Sequence, residues 1–209
     1  MERRKLSEQA FDLIKKMILS RKLKPGERIP EEKISASLGI SRTPVREALQ
    51  KLQQSGLVQI VPRSYASVAE LNTDDRKHIG EVRLQLDALV AKKLAETATE
   101  EDVLTFRAIE ARCVKLAKKN DTAGVFETHS ELHLEMARRT GNPYLHEMMK
   151  SIDLKVQFLR ASGYMSSKEI FENLSSHDAI IDAISRHDVK KAQEMMIRHI
   201  KAFYFNSTD

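Results

Sequence analysis

Glycine and proline are scarce in this chain, and their scarcity limits the folds that it can adopt. Only 7 Gly and 5 Pro occur among 209 residues, and aromatic residues make up 5% of the chain, with no Trp. β-Sandwiches and barrels need turn residues roughly every 8–12 positions and favour aromatic side chains. We therefore predict a mainly α fold.

Two features bear on the compartment in which the protein works. There is no run of about 18 apolar residues, so we expect no transmembrane helix and no membrane partner. The single cysteine, Cys113, excludes an intrachain disulfide and a zinc site made of cysteines alone. A reducing cytoplasm is the expected location.

Positive charge is concentrated in the first third of the chain. Residues 1–70 contain 14 basic and 8 acidic residues, a net charge of +6, whereas the remaining 139 residues contain 21 basic and 22 acidic residues. This asymmetry is typical of a polyanion-binding module joined to a neutral one. A basic surface that meets only solvent would give the same counts, so charge alone does not decide.

The N-terminal third has the pattern of a winged helix-turn-helix. Apolar residues at helical spacing predict a helix over about 6–20. A second, short helix ends at Gly39, and a third begins after Ser41. β-Branched residues around a turn then predict a two-stranded hairpin over 58–68. We therefore predict a winged helix-turn-helix DNA-binding domain over residues 1–70.

The start of the third helix carries residues that suit DNA: Ser41, Arg42, Thr43 and Arg46. A helix N-terminus attracts phosphates, and arginine can donate two hydrogen bonds to O6 and N7 of guanine. Serine and threonine hydroxyls suit phosphates or base edges. The simpler alternative is an amphipathic helix with two exposed arginines. The local net charge, the preceding short helix and the following hairpin favour DNA binding.

From residue 73 onward, capping residues and apolar periodicity recur with few interruptions. They predict six helices, at about 73–96, 99–119, 121–139, 143–160, 167–186 and 188–205. Short loops between such helices are typical of an antiparallel bundle. The predicted architecture is a winged helix-turn-helix followed by an antiparallel bundle of six to seven helices over residues 71–209.

Four of the seven histidines fall on stripes that face into this bundle. His129 and His133 are four residues apart on one helix and share a face, while His177 and His199 continue the apolar stripes of two later helices. A single inward histidine is usually a core residue with an ordinary hydrogen-bond partner. Four of them can instead surround a divalent cation, which satisfies several imidazoles at once. Spacing alone leaves both interpretations open.

Three segments of the N-terminal third carry a family resemblance: Pro25-Gly26-Glu27-Arg28-Ile29, Leu38-Gly39-Ile40-Ser41-Arg42-Thr43-Pro44-Val45-Arg46-Glu47-Ala48-Leu49, and Ser55-Gly56-Leu57-Val58. Over roughly residues 8–68 the chain resembles the GntR family of bacterial transcriptional regulators. The resemblance implies that Arg42, Thr43 and Arg46 face the major groove. The family usually has a glycine at the wing tip. Here Tyr65 occupies that place, and Arg63 is expected to contact phosphate.

Further motifs lie in the C-terminal two thirds: Leu132-His133, Gly141-Asn142-Pro143, Ser176-His177-Asp178-Ala179-Ile180-Ile181-Asp182-Ala183-Ile184, and His199-Ile200. They resemble the FCD effector domain of the FadR subfamily, over about 73–205. Many of these domains bind a divalent metal through one aspartate and three histidines, and here His129 stands at the aspartate position. The implied ligands are His129, His133, His177 and His199. An all-imidazole set favours borderline metals, with zinc or nickel expected, over manganese or magnesium.

The resemblance also implies a small-molecule effector, often a carboxylate, beside the metal. Arg83 matches an arginine of the first helix of such domains, and a buried arginine needs a partner such as a carboxylate that accepts two hydrogen bonds. A salt bridge to Asp87, one turn further along the helix, is the alternative. Arg160 is a second candidate of the same kind.

A DNA-binding domain fused to an effector domain predicts a metabolite-responsive transcriptional regulator rather than an enzyme. Its expected partners are double-stranded operator DNA, a small carboxylate and a second copy of the chain, because a dimer can engage two half-sites. The main alternative is a metal-dependent hydrolase in which the histidines activate water. No glutamate is placed as a general base, as it is in His-Glu-x-x-His. An architectural DNA-binding protein, the third possibility, would need neither metal nor effector.

Overall fold

The computed structural model describes residues 2–164 and 176–205. Within these ranges the chain forms nine helices and one two-stranded sheet, arranged in two compact units. The first unit comprises the residues up to Asn72 together with Leu154–Tyr164. The second comprises Thr73–Asp153 and the described residues from 176 onward. The prediction of a mainly α fold, with a winged helix-turn-helix and a helical bundle, is confirmed.

The first unit has the element order of a winged helix. Helices α1 (Glu2–Leu19), α2 (Glu31–Leu38) and α3 (Arg42–Gln54) precede strands β1 (Val58–Val61) and β2 (Tyr65–Val68). The two strands pair antiparallel in a register that sets Val58 opposite Val68. Helices α1 and α2 both pack against α3 around a core of fully buried apolar side chains. That core includes Ala10, Ile14, Val45, Ala48, Leu49, Leu52 and Leu57.

The turn between α2 and α3 depends on a glycine in the left-handed region. Gly39 has φ +64°, and its N–H donates to the carbonyl oxygen of Ala36. A residue with a Cβ is disfavoured in this conformation, whereas glycine adopts it readily. Gly39 therefore ends α2 sharply, and α3 starts three residues later.

The second half of α7 (Pro143–Ser162) packs within the first unit. Phe158 is buried in the core of that unit. Nζ of Lys155 donates to the carbonyl oxygen of Ser55 at 3.0 Å, and the Tyr164 hydroxyl donates to the carbonyl oxygen of Leu71 at 2.9 Å. This helix therefore supplies apolar and polar contacts that complete the winged-helix unit.

The second unit is a bundle formed by α4 (Asp75–Thr97), α5 (Glu100–Lys118), α6 (Thr122–Arg139), residues 143–153 of α7, α8 (Ser176–Ser185) and α9 (Val189–Tyr204). Helix α9 packs along α4 and α8, and α5 packs along α6 and α8. The helix predicted over 167–186 is present as α8 from residue 176. The first part of that prediction lies outside the described residues.

Side-chain caps fix where three of these helices begin. Thr99 and Asp102 form a capping box at the start of α5, in which each side chain accepts a hydrogen bond from the backbone N–H of the other residue. Asp121 and Asp188 cap α6 and α9 in the simpler way, through one side-chain oxygen. These bonds satisfy N–H groups that a helix start otherwise leaves without partners.

Candidate functional site

Helix α3 has an exposed polar N-terminal end and a buried apolar face. Ser41, Arg42, Thr43 and Arg46 are all exposed, whereas Val45 one turn along is fully buried. Ser41 occupies the N-cap position, but its side chain makes no capping hydrogen bond. The hydroxyl is therefore not committed to the helix, and the end of α3 offers hydroxyl, guanidinium and backbone N–H donors together.

Both arginines of this surface pair with carboxylates of α2. Nη2 of Arg42 lies 2.6 Å from Oε1 of Glu32, and Nε of Arg46 donates to Oε2 of Glu31 at 3.1 Å. The arginine side chains stay well exposed, at 59% and 67% of their surface. Exposed ion pairs of this kind contribute only about 0–1 kcal/mol, so the arginines remain available to another partner. These ion pairs of Glu31 and Glu32 with the two arginines were not predicted from the sequence.

The tip of the wing is Arg63, not Tyr65. The N–H of Ser64 donates to the carbonyl oxygen of Val61 at 3.1 Å, and this turn puts Arg63 at φ +58°. Arg63 therefore occupies the left-handed position that glycine usually takes. Tyr65 is the first residue of β2, and its ring stacks on the guanidinium of Arg28 at 4.5 Å. The expectation that Tyr65 replaces the tip glycine is corrected by this geometry.

A groove runs between α3 and the wing. Its walls carry Arg46 from α3, Arg63 and Tyr65 from the wing, and Glu31 from α2. Arg63 is thus in the same surface as the exposed end of α3. Four of the five residues predicted to bind DNA are neighbours at the end of α3, and the fifth lies across this groove.

In the second unit, four buried histidines meet. Helix α6 contributes His129 and His133, α8 contributes His177 and α9 contributes His199, and each is at most 3% exposed. One ring nitrogen of each residue lies within 4.8 Å of the corresponding nitrogens of the other three. We call these four residues the histidine cluster. The structure therefore brings together all four predicted ligands.

The spacing of the nitrogens suits a metal ion. Nε2 of His199 lies 3.2 Å from Nε2 of His177 and 3.3 Å from Nε2 of His133. Four nitrogens at the usual zinc distance of about 2.0–2.1 Å, arranged as a tetrahedron, would lie about 3.3–3.4 Å apart. Two of the nitrogen pairs are thus already at the spacing of a tetrahedral site, and all four nitrogens lie within 4.8 Å of one another, so the cluster could hold one divalent ion once the wider pairs close in.

The outward-facing nitrogens of three cluster rings face polar side chains. Nδ1 of His133 is 2.8 Å from Oδ1 of Asp87, and Nδ1 of His199 is 2.7 Å from the hydroxyl of Ser176. Oε2 of Glu110 lies 2.9 Å from Nδ1 of His177, although the angles are not those of a hydrogen bond. Because a carboxylate accepts, Asp87 favours a proton on Nδ1 of His133 and a lone pair on Nε2.

The surroundings of His133 keep its imidazole neutral. Burial lowers the pKa of His133 to about 4, and the nearby charge of Asp87 only partly opposes this effect. Burial alone would raise the pKa of Asp87, but His133 and Arg83 outweigh burial and lower it below its usual value. A neutral imidazole beside an ionised carboxylate is the protonation state that a metal ligand requires.

Arg83 is a buried cation beside this cluster. Its side chain is 1% exposed, and its Nε donates to Oδ2 of Asp87 at 2.9 Å. Nη1 lies 3.7 Å from Oδ1 of Asp153, and neither Nη1 nor Nη2 has a hydrogen-bond partner among the residues that the structure describes. The salt bridge to Asp87 that the sequence allowed is thus present. It leaves two donors that a bound carboxylate could engage.

The remaining candidate, Arg160, belongs to the other unit. It is a buried residue in the part of α7 that belongs to the first unit, whereas Arg83 and the histidine cluster belong to the second.

Together these features define a class of protein: a winged-helix DNA-binding unit joined to a helical unit with a buried polar, metal-compatible centre. Two family models match the chain. "Bacterial regulatory proteins, gntR family" matches residues 6–68, and "FCD domain" matches residues 78–202. The chain belongs to the GntR family of bacterial regulatory proteins and carries an FCD domain.

Individual relatives agree with this assignment. The chain is 24% identical to the uncharacterized HTH-type transcriptional regulator YdhC of Bacillus subtilis, over 91% of this chain and 86% of the relative. It is 28% identical to the HTH-type transcriptional repressor NanR of Escherichia coli K12, over 97% and 84%. The solved structure of E. coli McbR/YncC has the same fold, with a TM-score of 0.80, 21% identity and coverage of 94% and 93%.

These families and relatives are DNA-binding transcriptional regulators and not enzymes, so the prediction of a regulator is confirmed and the hydrolase alternative is not favoured. In the part of the chain that the structure describes, no helix is long and apolar enough to cross a membrane.

Proposed function

We propose that this regulator binds operator DNA as a homodimer through α3 and the wing, and that a divalent metal and a small carboxylate in the second unit control that binding. In this proposal residues 1–70 read DNA in the cytoplasm and residues 71–209 sense the ligand. The observation that carries the metal part is that Nε2 of His199 lies within 3.2–3.3 Å of Nε2 of both His177 and His133, inside a buried histidine cluster.

The DNA-binding residues in this proposal are Ser41, Arg42, Thr43, Arg46 and Arg63. Exposure of Arg42 and Arg46 at the start of α3 supports guanine contacts in the major groove. The left-handed conformation of Arg63 supports a phosphate contact from the wing tip, because strained backbone is retained where the fold or the function requires it.

The metal ligands in this proposal are His129, His133, His177 and His199. Four imidazoles are borderline donors, so zinc or nickel suits them better than manganese or magnesium. Neutral His133 and the polar partners of the outward-facing nitrogens favour metal binding without a large change in protonation.

The effector in this proposal is a small carboxylate that accepts hydrogen bonds from Nη1 and Nη2 of Arg83. Asp87 already holds Nε of this guanidinium, whereas Nη1 and Nη2 make no hydrogen bond to the described residues, so an anion that accepts from both would stabilise the buried group further. Arg160 is retained as a second effector-binding candidate, on its burial alone.

Metal content and thermal stability test the metal part. Purified protein should carry close to one zinc or nickel ion per chain, and the double variant His133→Ala, His177→Ala should carry none. Metal at about 100 times its Kd should raise the free energy of unfolding by about 3 kcal/mol, which is several degrees in Tm. His78→Ala, which removes an exposed histidine, is the matched control and should keep both the ion and the stabilisation.

The measurements are elemental analysis and calorimetry, each repeated after chelation and readdition of zinc or nickel. Protein that is metal-free after gentle purification, and whose Tm does not change on addition of either ion, would show that the cluster is an ordinary polar core.

A further inference from the structure

The residues of the histidine cluster cannot compensate the charge of a divalent ion. Four neutral imidazoles around a divalent ion leave two uncompensated positive charges in a buried site, and burying charge without compensation is costly. A set with one carboxylate ligand would leave one such charge. The compensation must therefore come from residues outside the ligand set.

Two buried carboxylates occupy the required places. Asp87, on α4, faces Nδ1 of His133 at 2.8 Å, and Glu110, on α5, faces Nδ1 of His177 at 2.9 Å. Both lie on the side of the ring away from the converging Nε2 atoms, so each contacts a ligand rather than the ion position. We call Asp87 and Glu110 the outer carboxylates.

The charge count of the surroundings supports this role. Arg83, Asp87, Glu110 and Asp153 are all at most 5% exposed, and together they carry one positive and three negative charges, a net charge of −2. One oxygen of Glu110, Oε1, has no hydrogen-bond partner among the described residues. Before a carboxylate effector binds, a single divalent cation would balance this group, whereas a monovalent cation would leave it negative.

We propose that Asp87 and Glu110 are positioning residues that supply the negative charge by which this all-histidine centre selects a divalent over a monovalent cation, Asp87 through its hydrogen bond to the His133 ring and Glu110 through its close contact with the His177 ring. This inference rests on the metal binding proposed above. It adds α4 and α5, which supply no ligand, to the helices that support the metal centre.

Glu110→Gln is the cleaner test, because Asp87 also holds Arg83. The amide keeps the size of the side chain and removes its charge. Zinc affinity, measured by competition with a chromogenic chelator, should fall about 10–100-fold, the usual loss when such a partner is removed. Glu127→Gln, an exposed carboxylate on α6, makes the same change in net charge and should bind zinc as the wild type does.

A monovalent probe separates charge from mere ring orientation. Coulombic energy scales with the charge of the ion, so the loss for Cu(I), measured without oxygen, should be about half of the zinc loss on a logarithmic scale. The expected Cu(I) loss is thus about 3–10-fold. Equal losses for the two ions would overturn the charge role.

Cobalt(II) absorption identifies the ligands independently. The Glu110→Gln protein should keep the intensity of the wild-type cobalt bands, because its four nitrogen ligands are unchanged. A changed spectrum would mean that Glu110 itself binds the ion, which overturns the proposal. Far-UV circular dichroism checks the fold, and Glu110→Asp, which keeps the charge, should bind zinc more tightly than Glu110→Gln even if both are less stable.

The failures are distinguishable. If the wild type binds neither zinc nor cobalt, the proposed function itself is wrong. If the wild type binds zinc and Glu110→Gln binds it equally well, the metal site stands and the outer carboxylate at position 110 has no part in it.

Discussion

Arg46 is the residue through which the DNA-reading surface can be tested most directly. Its side chain is 67% exposed near the start of α3, and in the free protein Nε pairs with Glu31 at 3.1 Å. That exposed pair contributes at most about 1 kcal/mol, so Arg46→Ala should hardly change folding stability. A bidentate contact to guanine contributes about 1–3 kcal/mol of discrimination.

The expected cost of Arg46→Ala follows from these two magnitudes. Specific affinity should fall by about 5–150-fold per half-site, and by about 2–6 kcal/mol for a dimer that engages both. Affinity for a scrambled duplex should change much less, because nonspecific binding depends on phosphates. Arg186→Ala, which removes an exposed arginine of the second unit, is the matched control and should leave both affinities unchanged.

The assay is fluorescence anisotropy on a duplex selected from a random library with the wild-type protein, repeated at several salt concentrations. If Arg46 reads a base, its loss changes affinity but not the salt slope. A slope reduced by about one per half-site, with equal losses on both duplexes, would mean a phosphate contact instead. No loss on the selected duplex would refute the orientation of α3 proposed here.

Three further predictions concern the second unit. Asp102→Asn should lower the free energy of unfolding by about 0.5–2 kcal/mol in urea titrations at pH 7. Although burial opposes the shift, hydrogen bonds from Thr99 and Arg139 hold the pKa of Asp102 below its usual value. The contribution of Asp102 is therefore complete near neutral pH and is lost as acid protonates the carboxyl in the folded protein, so a difference that does not shrink on acidification would contradict this. Gly80→Ala should lower the free energy of unfolding by about 1–3 kcal/mol in calorimetry, because the new Cβ would lie 2.5 Å from Cβ of Tyr204. A variant more stable than the wild type would mean that α4 and α9 pack less tightly at this point. Arg83→Lys keeps the buried charge but loses the guanidinium fork, so it should retain metal and operator binding and lose most of the response to a panel of small carboxylates; a full response would remove Arg83 from effector binding.

The histidine cluster was within reach of sequence analysis because its signal is periodic. His129 and His133 share a helix face by spacing alone, and His177 and His199 continue stripes of apolar residues. Residues that face inward from several helices of one bundle tend to meet, so the prediction needed no knowledge of crossing angles.

The pairing of the outer carboxylates with the histidine rings could not be predicted, for a related reason. Glu110 is one turn after the buried Phe106 and next to the buried Ile109, so a carboxylate on an inward stripe was the available signal. Periodicity shows that such a residue is buried but not which helix supplies its partner. The pairing of Glu110 with His177 depends on how α5 and α8 pack, which is a tertiary property.

The wing and α7 illustrate two other limits. Proline favours the second position of a turn, so Pro62 could have placed the left-handed residue at Arg63, one position later. For α7, apolar spacing predicted the helix correctly over about 143–160. Apolar spacing could not predict that residues from Leu154 onward pack with the winged helix, because it shows that a helix face is buried but not which core buries it.

Because of the order of residues along the chain, the two units are completed at different times during synthesis. Every described residue of the DNA-reading unit has been made once the ribosome reaches Tyr164, whereas His177 and His199 are still to come. The segment that completes the winged-helix unit therefore leaves the ribosome ahead of two of the four residues of the histidine cluster. In the function proposed above, the metal and effector site is therefore the last part of each new molecule to be completed.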